Sequence, residues 1–187
     1  NTLWGGVVGE DGIDGIQLGP TPEGRPFLEF QEHLLALFDR GVILAINSRN
    51  NFNDAMNVIR NHPYMILKEK HFAALRINWN NKVQNIKGLA DEINIALDSL
   101  VFIDDDPVNC DMVRNLLPEV VVVDLPRDRS LYVNTLSKLS YFDTLAITQE
   151  DRRKGAMYLE DKERRQLSQV AIDVTEYLKL LQINVRI

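Results

Sequence analysis

Phe27, Phe30, Leu34, Leu37 and Phe38 recur at the spacing that buries one face of a helix, and Gly41 stands where a left-handed residue would end it. The next five residues, Val42-Ile-Leu-Ala-Ile46, are an unbroken apolar run, which predicts a buried strand. After the polar turn Ser48-Arg-Asn-Asn51, the positions Ala55, Val58 and Ile59 mark a second helix. It stops near His62-Pro63, because proline disfavours helical backbone in the residue before it. Arg76-Ile-Asn-Trp79 predicts a short strand. From about Asn81, a single apolar stripe of Val83, Ile86, Leu89, Ala90, Ile93 and Leu97 predicts a third helix. Leu100-Val-Phe-Ile103 reads as a strand, 108–116 as a helix and Val120-Val-Val-Val123 as a strand. Short apolar strands separated by helices indicate an α/β fold with a parallel sheet covered on both faces.

The flanks read differently. Glycine and proline concentrate between Gly5 and Pro26, which predicts turns and a loop or hairpin excursion. Beyond Pro126 the pattern is mostly helical: Thr148 and Asp151 resemble a capping box, the charges from 150 to 165 mix both signs as on a solvated helix, and Tyr177, Leu178, Leu180 and Leu181 suggest a last amphipathic helix. The division is a core over 1–147 and a helical extension of the same domain over 148–187. Asn1-Thr2 and the final run both read as cuts from something longer.

Composition narrows the functions. The net charge of −6 disfavours nucleic acid and anionic membrane as partners. No run approaches the ~18 apolar residues of a membrane helix and no signal peptide opens the chain, so a cytoplasmic location is the expectation. The one cysteine, Cys110, excludes an internal disulfide and a multi-cysteine zinc site.

In an open parallel sheet ligands bind beyond the carboxyl ends of the strands, and three polar clusters follow predicted strands directly. Asn47-Ser48-Arg49-Asn50-Asn51 offers a hydroxyl, amides and the first N–H groups of a helix, a set suited to an anionic oxygen. A plain helix cap by Ser48 or Asn51 accounts for the same residues equally well. Asp104-Asp105-Asp106-Pro107 sets three carboxylates together, a repulsion that a divalent cation such as Mg²⁺ would offset. Asp106 as cap with Pro107 at the first helical position explains half of that cluster and leaves Asp104 and Asp105 unexplained. Trp79-Asn80-Asn81-Lys82 places a lysine in a first helical turn, where the macrodipole disfavours a cation, so Lys82 either wants an anionic partner or merely tolerates an exposed position.

Ser, then Lys, then a carboxylate pair, each opening a helix after a strand, resembles motifs two, three and four of the haloacid dehalogenase superfamily of phosphoryl-transfer enzymes. Asn1-Thr2 resembles the last two positions of that superfamily's first motif, Asp-x-Asp-x-Thr, which would put both aspartates just ahead of Asn1. Within the superfamily, Asn1-Thr-Leu-Trp-Gly-Gly-Val-Val-Gly-Glu-Asp-Gly12, Leu44-Ala-Ile-Asn-Ser-Arg-Asn-Asn51, His71-Phe-Ala, Trp79-Asn-Asn-Lys82 and Phe102-Ile-Asp-Asp-Asp-Pro107 resemble the FkbH-like branch, over nearly the whole chain. The resemblance implies a Rossmann-like core with a small N-terminal insertion. It also implies transfer of a glyceryl-type three-carbon unit from 1,3-bisphosphoglycerate to the phosphopantetheine thiol of an acyl carrier protein, with loss of phosphate, in polyketide assembly, within or beside a larger synthase. On it, Thr2 bonds near the nucleophile, Ser48 binds a phosphoryl oxygen with Arg49 and Asn50 beside it, Lys82 neutralises charge, and Asp104 and Asp105 hold Mg²⁺. Arg49 departs from the lysine usual there, and Asn109 from an acidic residue.

Cys110 is open to two readings. A helix N-terminus lowers a thiol's pKa and neighbouring carboxylates raise it, and a lone cysteine is commonly an inert buried residue. The resemblance implies a thioester-forming nucleophile. Trp4, Gly5 and Gly6 either approach the substrate as pocket wall and backbone donors or form a structural turn. For His71 a structural hydrogen bond is favoured over a general base. Two rival functions stay open: a simple Mg²⁺-dependent phosphatase, and a non-catalytic module that docks a carrier protein. A receiver domain is disfavoured, since its acidic pair comes first in the chain and its lysine last.

Overall fold

The computed structural model describes residues 1–142. Both helices predicted after Thr148, and the domain division at 147, lie outside them.

The helix that begins the core is α2, Arg25–Asp39, which follows a short α1 at Val8–Gly15. Proline near its start costs α2 no hydrogen bond, because the first N–H groups of a helix have no intrahelical acceptor. It ends as its sequence predicts: Gly41 has φ 94°, its N–H donates to the Phe38 carbonyl, and Val42 N–H donates to Leu37. That pair of bonds is a Schellman motif, and the left-handed residue it needs is the glycine.

Then come β1 (Leu44–Ser48), α3 (Phe52–Asn61), β2 (Phe72–Ile77), α4 (Lys82–Ile93), β3 (Val101–Asp104), α5 (Pro107–Leu116), β4 (Val121–Asp124) and α6 (Tyr132–Ser137). Asn81 caps α4 by accepting the Gln84 N–H at 2.8 Å. Asp106 caps α5 by accepting the Val108 N–H at 2.9 Å, with Pro107 at the first turn. α4 stops short of Leu97 because Asn94 turns left-handed at φ 59°. β1 begins two residues later than its apolar run, and β2 begins earlier than predicted, at Phe72. The Gly/Pro-rich start is an excursion, as expected, closed by an antiparallel bridge between Gly5 and Gln17, but it also contains α1.

β1 pairs with β2 and β3 with β4, both parallel, and among the described residues the two pairs do not hydrogen-bond to each other. Between them lies a cleft of about 970 Å³. Residues 42–50 and 98–106 line it in unbroken runs. Side chains alternate between the two faces of a strand, so a cleft over a sheet face would touch every second residue. Contact with consecutive residues means that the cleft meets β1 and β3 edge-on.

The main core gathers buried residues of α2, α3 and α6, with α6 packed on α2 and α3 on α1. Phe27, Phe30, Val58, Ile59 and Leu136 are at most 1% exposed, and the Tyr132 ring meets Phe27 and Phe30 edge to face at 6.0 and 5.4 Å. Gln31 is buried among them without strain, because its amide donates to Leu3 O and accepts from the N–H groups of Ile66 and Leu67. A second cluster joins Val83 and Ile86 of α4 to Phe102 and Val113. Among the described residues no helix is long and apolar enough to cross a membrane.

Candidate active site

The three polar clusters meet at the carboxyl ends of the strands. Lys82 Nζ lies 3.0 Å from Asp104 Oδ2 and donates to the Asn47 carbonyl at 2.6 Å. Both side chains are more than nine-tenths buried. Lys82 therefore has the anionic partner that its place in the first turn of α4 calls for. Asp104 is at the end of β3, and its Oδ1 accepts from Asp106 N–H at 2.9 Å and from the Asn109 amide at 3.4 Å. Asn109 thus reaches the site as a hydrogen-bond donor to Asp104.

Asp105 stands nearer the opening. The Thr2 hydroxyl donates to its Oδ1 at 3.4 Å, and the backbone nitrogen of Asn1 is 3.7 Å from the same oxygen. Tyr132, which the sequence did not single out, fixes this first segment by donating its hydroxyl to the Asn1 carbonyl at 3.0 Å. Its pKa is raised, first by burial and then by Asp105, so the phenol keeps its proton and stays a donor.

Ser48 ends β1 and lines the cleft together with Arg49, Asn50, Lys82, Asp104 and Asp105. The Asn50 amide donates to Ser48 Oγ at 3.2 Å, while Arg49 is exposed. Neither Ser48 nor Asn51 caps α3 through its side chain, so the first N–H groups of that helix are left for another acceptor. Trp79 is 69% exposed beside this rim, with its indole N–H held by Asn51 Oδ1 at 3.2 Å.

Trp4 is buried and lines the cleft, as a pocket wall would. Gly5 and Gly6 are part of a turn: their N–H groups donate to Gln17 O and to Asn1 Oδ1. A Cβ on Gly5 would come within 2.8 Å of the Phe27 ring, which explains the glycine by packing. His71 accepts the Lys68 N–H at Nδ1 and packs on Phe38, a structural role; burial lowers its pKa and that of His62.

Cys110 is fully buried, and its thiol donates weakly to the Asp104 carbonyl at 3.6 Å. Burial above all, and then Asp124 and Asp104, push its pKa up to about 12. The carboxylates and the enclosure outweigh the helix terminus, so the buried thiol keeps its proton at neutral pH. The acid form is favoured by folding, which fixes the sign of the pH dependence. Stability is complete below the ordinary thiol value of 9.0 and declines as pH rises from there toward about 12. Chemical unfolding between pH 8 and 11 should show that decline in the parent protein and a flatter profile in Cys110→Ala. Iodoacetamide should label Cys110 in the native protein far more slowly than in the unfolded one.

Mg²⁺ takes one or two carboxylates and keeps several waters or substrate oxygens. Asp104 and Asp105 fit that donor set: Oδ2 of Asp104 keeps a lone pair beside its bond from Lys82. No cluster of three or more acidic, His or Cys ligands exists among the described residues, so a fuller protein cage is not formed by them.

No protein-family model matches the chain, and no curated protein matches it. Among solved structures, it is similar to the N-terminal part of the protein BF1531 from Bacteroides fragilis, which contains a phosphatase domain and is complexed with Mg. The likeness has a TM-score of 0.75 at 42% identity, over 78% of this chain and 39% of that one. The chain therefore spans about two-fifths of the structure it matches. Parallel strand pairs, intervening helices and this likeness together give an α/β, Rossmann-like fold, shared with a phosphatase domain.

Proposed function

We propose that the chain is the greater part of a Mg²⁺-dependent phosphoryl-transfer domain of the haloacid dehalogenase type. The observation that carries this reading is the convergence of Ser48, Lys82, Asp104 and Asp105 on one cleft mouth. The likeness to a phosphatase domain crystallised with Mg supports it. Transfer of a phosphoryl group is catalysed mainly by positioning and by offsetting negative charge. Ser48 Oγ and the first N–H groups of α3 would bind phosphoryl oxygens, and Lys82 would offset their charge. Asp104 and Asp105 would hold Mg²⁺, which supplies further charge neutralisation when bound. Thr2 and Tyr132 keep the first residues of the chain against Asp105.

The nucleophile in this reading is the first aspartate of an Asp-x-Asp carried on an extended segment ahead of Asn1. The cleft that meets β1 and β3 edge-on would accept such a segment as a strand, completing one continuous sheet. Its carboxyl end would then emerge where Thr2 meets Asp105.

We propose further that the substrate is a three-carbon acyl phosphate and the acceptor the phosphopantetheine thiol of an acyl carrier protein. The motifs shared with the FkbH-like branch support this finer reading. The carrier thiol would give its proton to solvent as its sulfur attacks the acyl carbonyl, forming C–S as the C–O bond to the first phosphate breaks. The first aspartate would then take the remaining phosphoryl group as its P–O ester bond breaks, leaving the alcohol, and water would hydrolyse the aspartyl phosphate to free phosphate. The burial of Cys110 favours direct transfer to the carrier over a thioester on this residue.

Incubating the protein, carrying the Asp-x-Asp strand ahead of Asn1, with 1,3-bisphosphoglycerate, Mg²⁺ and a phosphopantetheinylated carrier protein tests both levels. Acyl-carrier together with phosphate is the expected result. Phosphate without acyl-carrier would leave the simple phosphatase. Carrier binding with neither product would replace both by a docking module.

A further inference from the structure

Asn85 lies one turn beyond Lys82 on the buried face of α4 and is 3% exposed. Its amide donates twice, to Asn47 Oδ1 and to Asn78 Oδ1, both at 3.0 Å. These two acceptors close β1 and follow β2. The sense of the network is fixed by groups that cannot turn over. Asn47 uses its own Nδ2 to donate to the backbone carbonyl of Lys82 at 3.0 Å, which leaves its oxygen facing Asn85. Asn78 Oδ1 accepts the backbone N–H of Asn80 at 3.0 Å, so that atom too must be the oxygen. Only a double donor satisfies both.

Asn47 also holds the other end of Lys82, whose ammonium donates to the Asn47 backbone carbonyl. One asparagine therefore grips the lysine at its main chain and at its charge, and Asn85 locks that asparagine. The next residue is Ser48, and Asn78 N–H donates to the Ser48 carbonyl at 3.0 Å, so the same clamp reaches the hydroxyl.

We infer that Asn85 is a positioning residue for the phosphate site: through Asn47 and Asn78 it sets Lys82 Nζ and Ser48 Oγ at the separation that an anionic oxygen requires. It touches neither substrate nor metal. The inference rests on the phosphoryl-transfer reading, since it presumes that Lys82 and Ser48 bind one anion.

Orthophosphate is the probe, titrated calorimetrically into the protein carrying the Asp-x-Asp strand ahead of Asn1, in Mg²⁺ buffer, with thermal midpoints measured on the same samples. In Asn85→Ala the two acceptors lose their donor, and the phosphate dissociation constant should rise about tenfold, the worth of one good hydrogen bond transmitted to the site. Asn85→Ser, which keeps a single shorter donor, should fall between. Val58→Ala removes fully buried side-chain volume in the main core and should lower the midpoint while binding phosphate like the parent. Parent-like phosphate binding by both Asn85 variants, with only their midpoints lowered, would overturn the inference and leave the functional reading standing. Absence of phosphate binding by the parent chain would sink both.

Discussion

Replacing Lys82 with methionine should cost the fold about 3–5 kcal/mol and remove phosphate binding at the same time. The ammonium and the Asp104 carboxylate form a pair with side chains 8% and 7% exposed. Methionine fills similar space but leaves Asp104 charged, buried and short of its strongest donor. The cost is thus mostly that of the abandoned carboxylate, not of the lost attraction. In a domain of this size it should appear as a fall of roughly 10 °C or more in the thermal midpoint. Adding Asp104→Asn to Lys82→Met removes the orphaned charge and should return much of the stability while phosphate binding stays absent. Calorimetric unfolding of the two single variants and the double one reads this directly. If the double variant is as unstable as Lys82→Met, burial of the unpaired charge is not what the pair's integrity protects against.

Asp105→Asn should separate chemistry from stability in the opposite way. Asp105 keeps 29% of its side chain exposed, and its bond from the Thr2 hydroxyl is long, at 3.4 Å. The amide should therefore leave unfolding free energy within about 0.5 kcal/mol of the parent. In the proposed site, however, it removes one of the two anionic oxygen donors that the described residues would offer Mg²⁺, the one on the open side of the pair. A loss of several kcal/mol of charge stabilisation corresponds to a decrease of at least about a hundredfold in phosphate release by the protein bearing the Asp-x-Asp strand. A Mg²⁺ titration followed by the thermal midpoint should likewise require far higher metal concentration. Unchanged Mg²⁺ dependence in Asp105→Asn would remove this residue from the metal site.

Local signals made much of the fold legible. Gly41 announces the end of α2, and Asp106-Pro107 the start of α5, because caps are chemistry between neighbours in sequence. The start of β2 was hidden: Ala73 and Ala74 are 7% and 0% exposed, yet alanine carries almost no strand signal. The short α1 was hidden by its glycines, one of which, Gly12, breaks the helical backbone at φ 70°. At the site, Ser48, Lys82, Asp104 and Asp105 were visible because each opens a helix after a strand. Asn85, Asn47 as a clamp, and Tyr132 were not. Their roles come from partners 38, 35 and 131 residues away in sequence, and a polar residue inside a helix stripe gives no sign of which distant carbonyl it serves. Cys110 shows the limit of local electrostatics. The helix terminus and the neighbouring carboxylates pulled its pKa in opposite directions and left it open, and burial beside Phe102 and Val113 adds the largest push upward.

The two edges that border the cleft have a consequence for how parts of the site are coupled. β1 and β3 both border the cleft, and each is paired on one side only among the described residues. Such a slot is a template for any extended chain of matching length. In the proposed domain a strand seated there would pair with both edges at once, so that a substitution loosening its pairing would be felt at Ser48 and at Asp105 together.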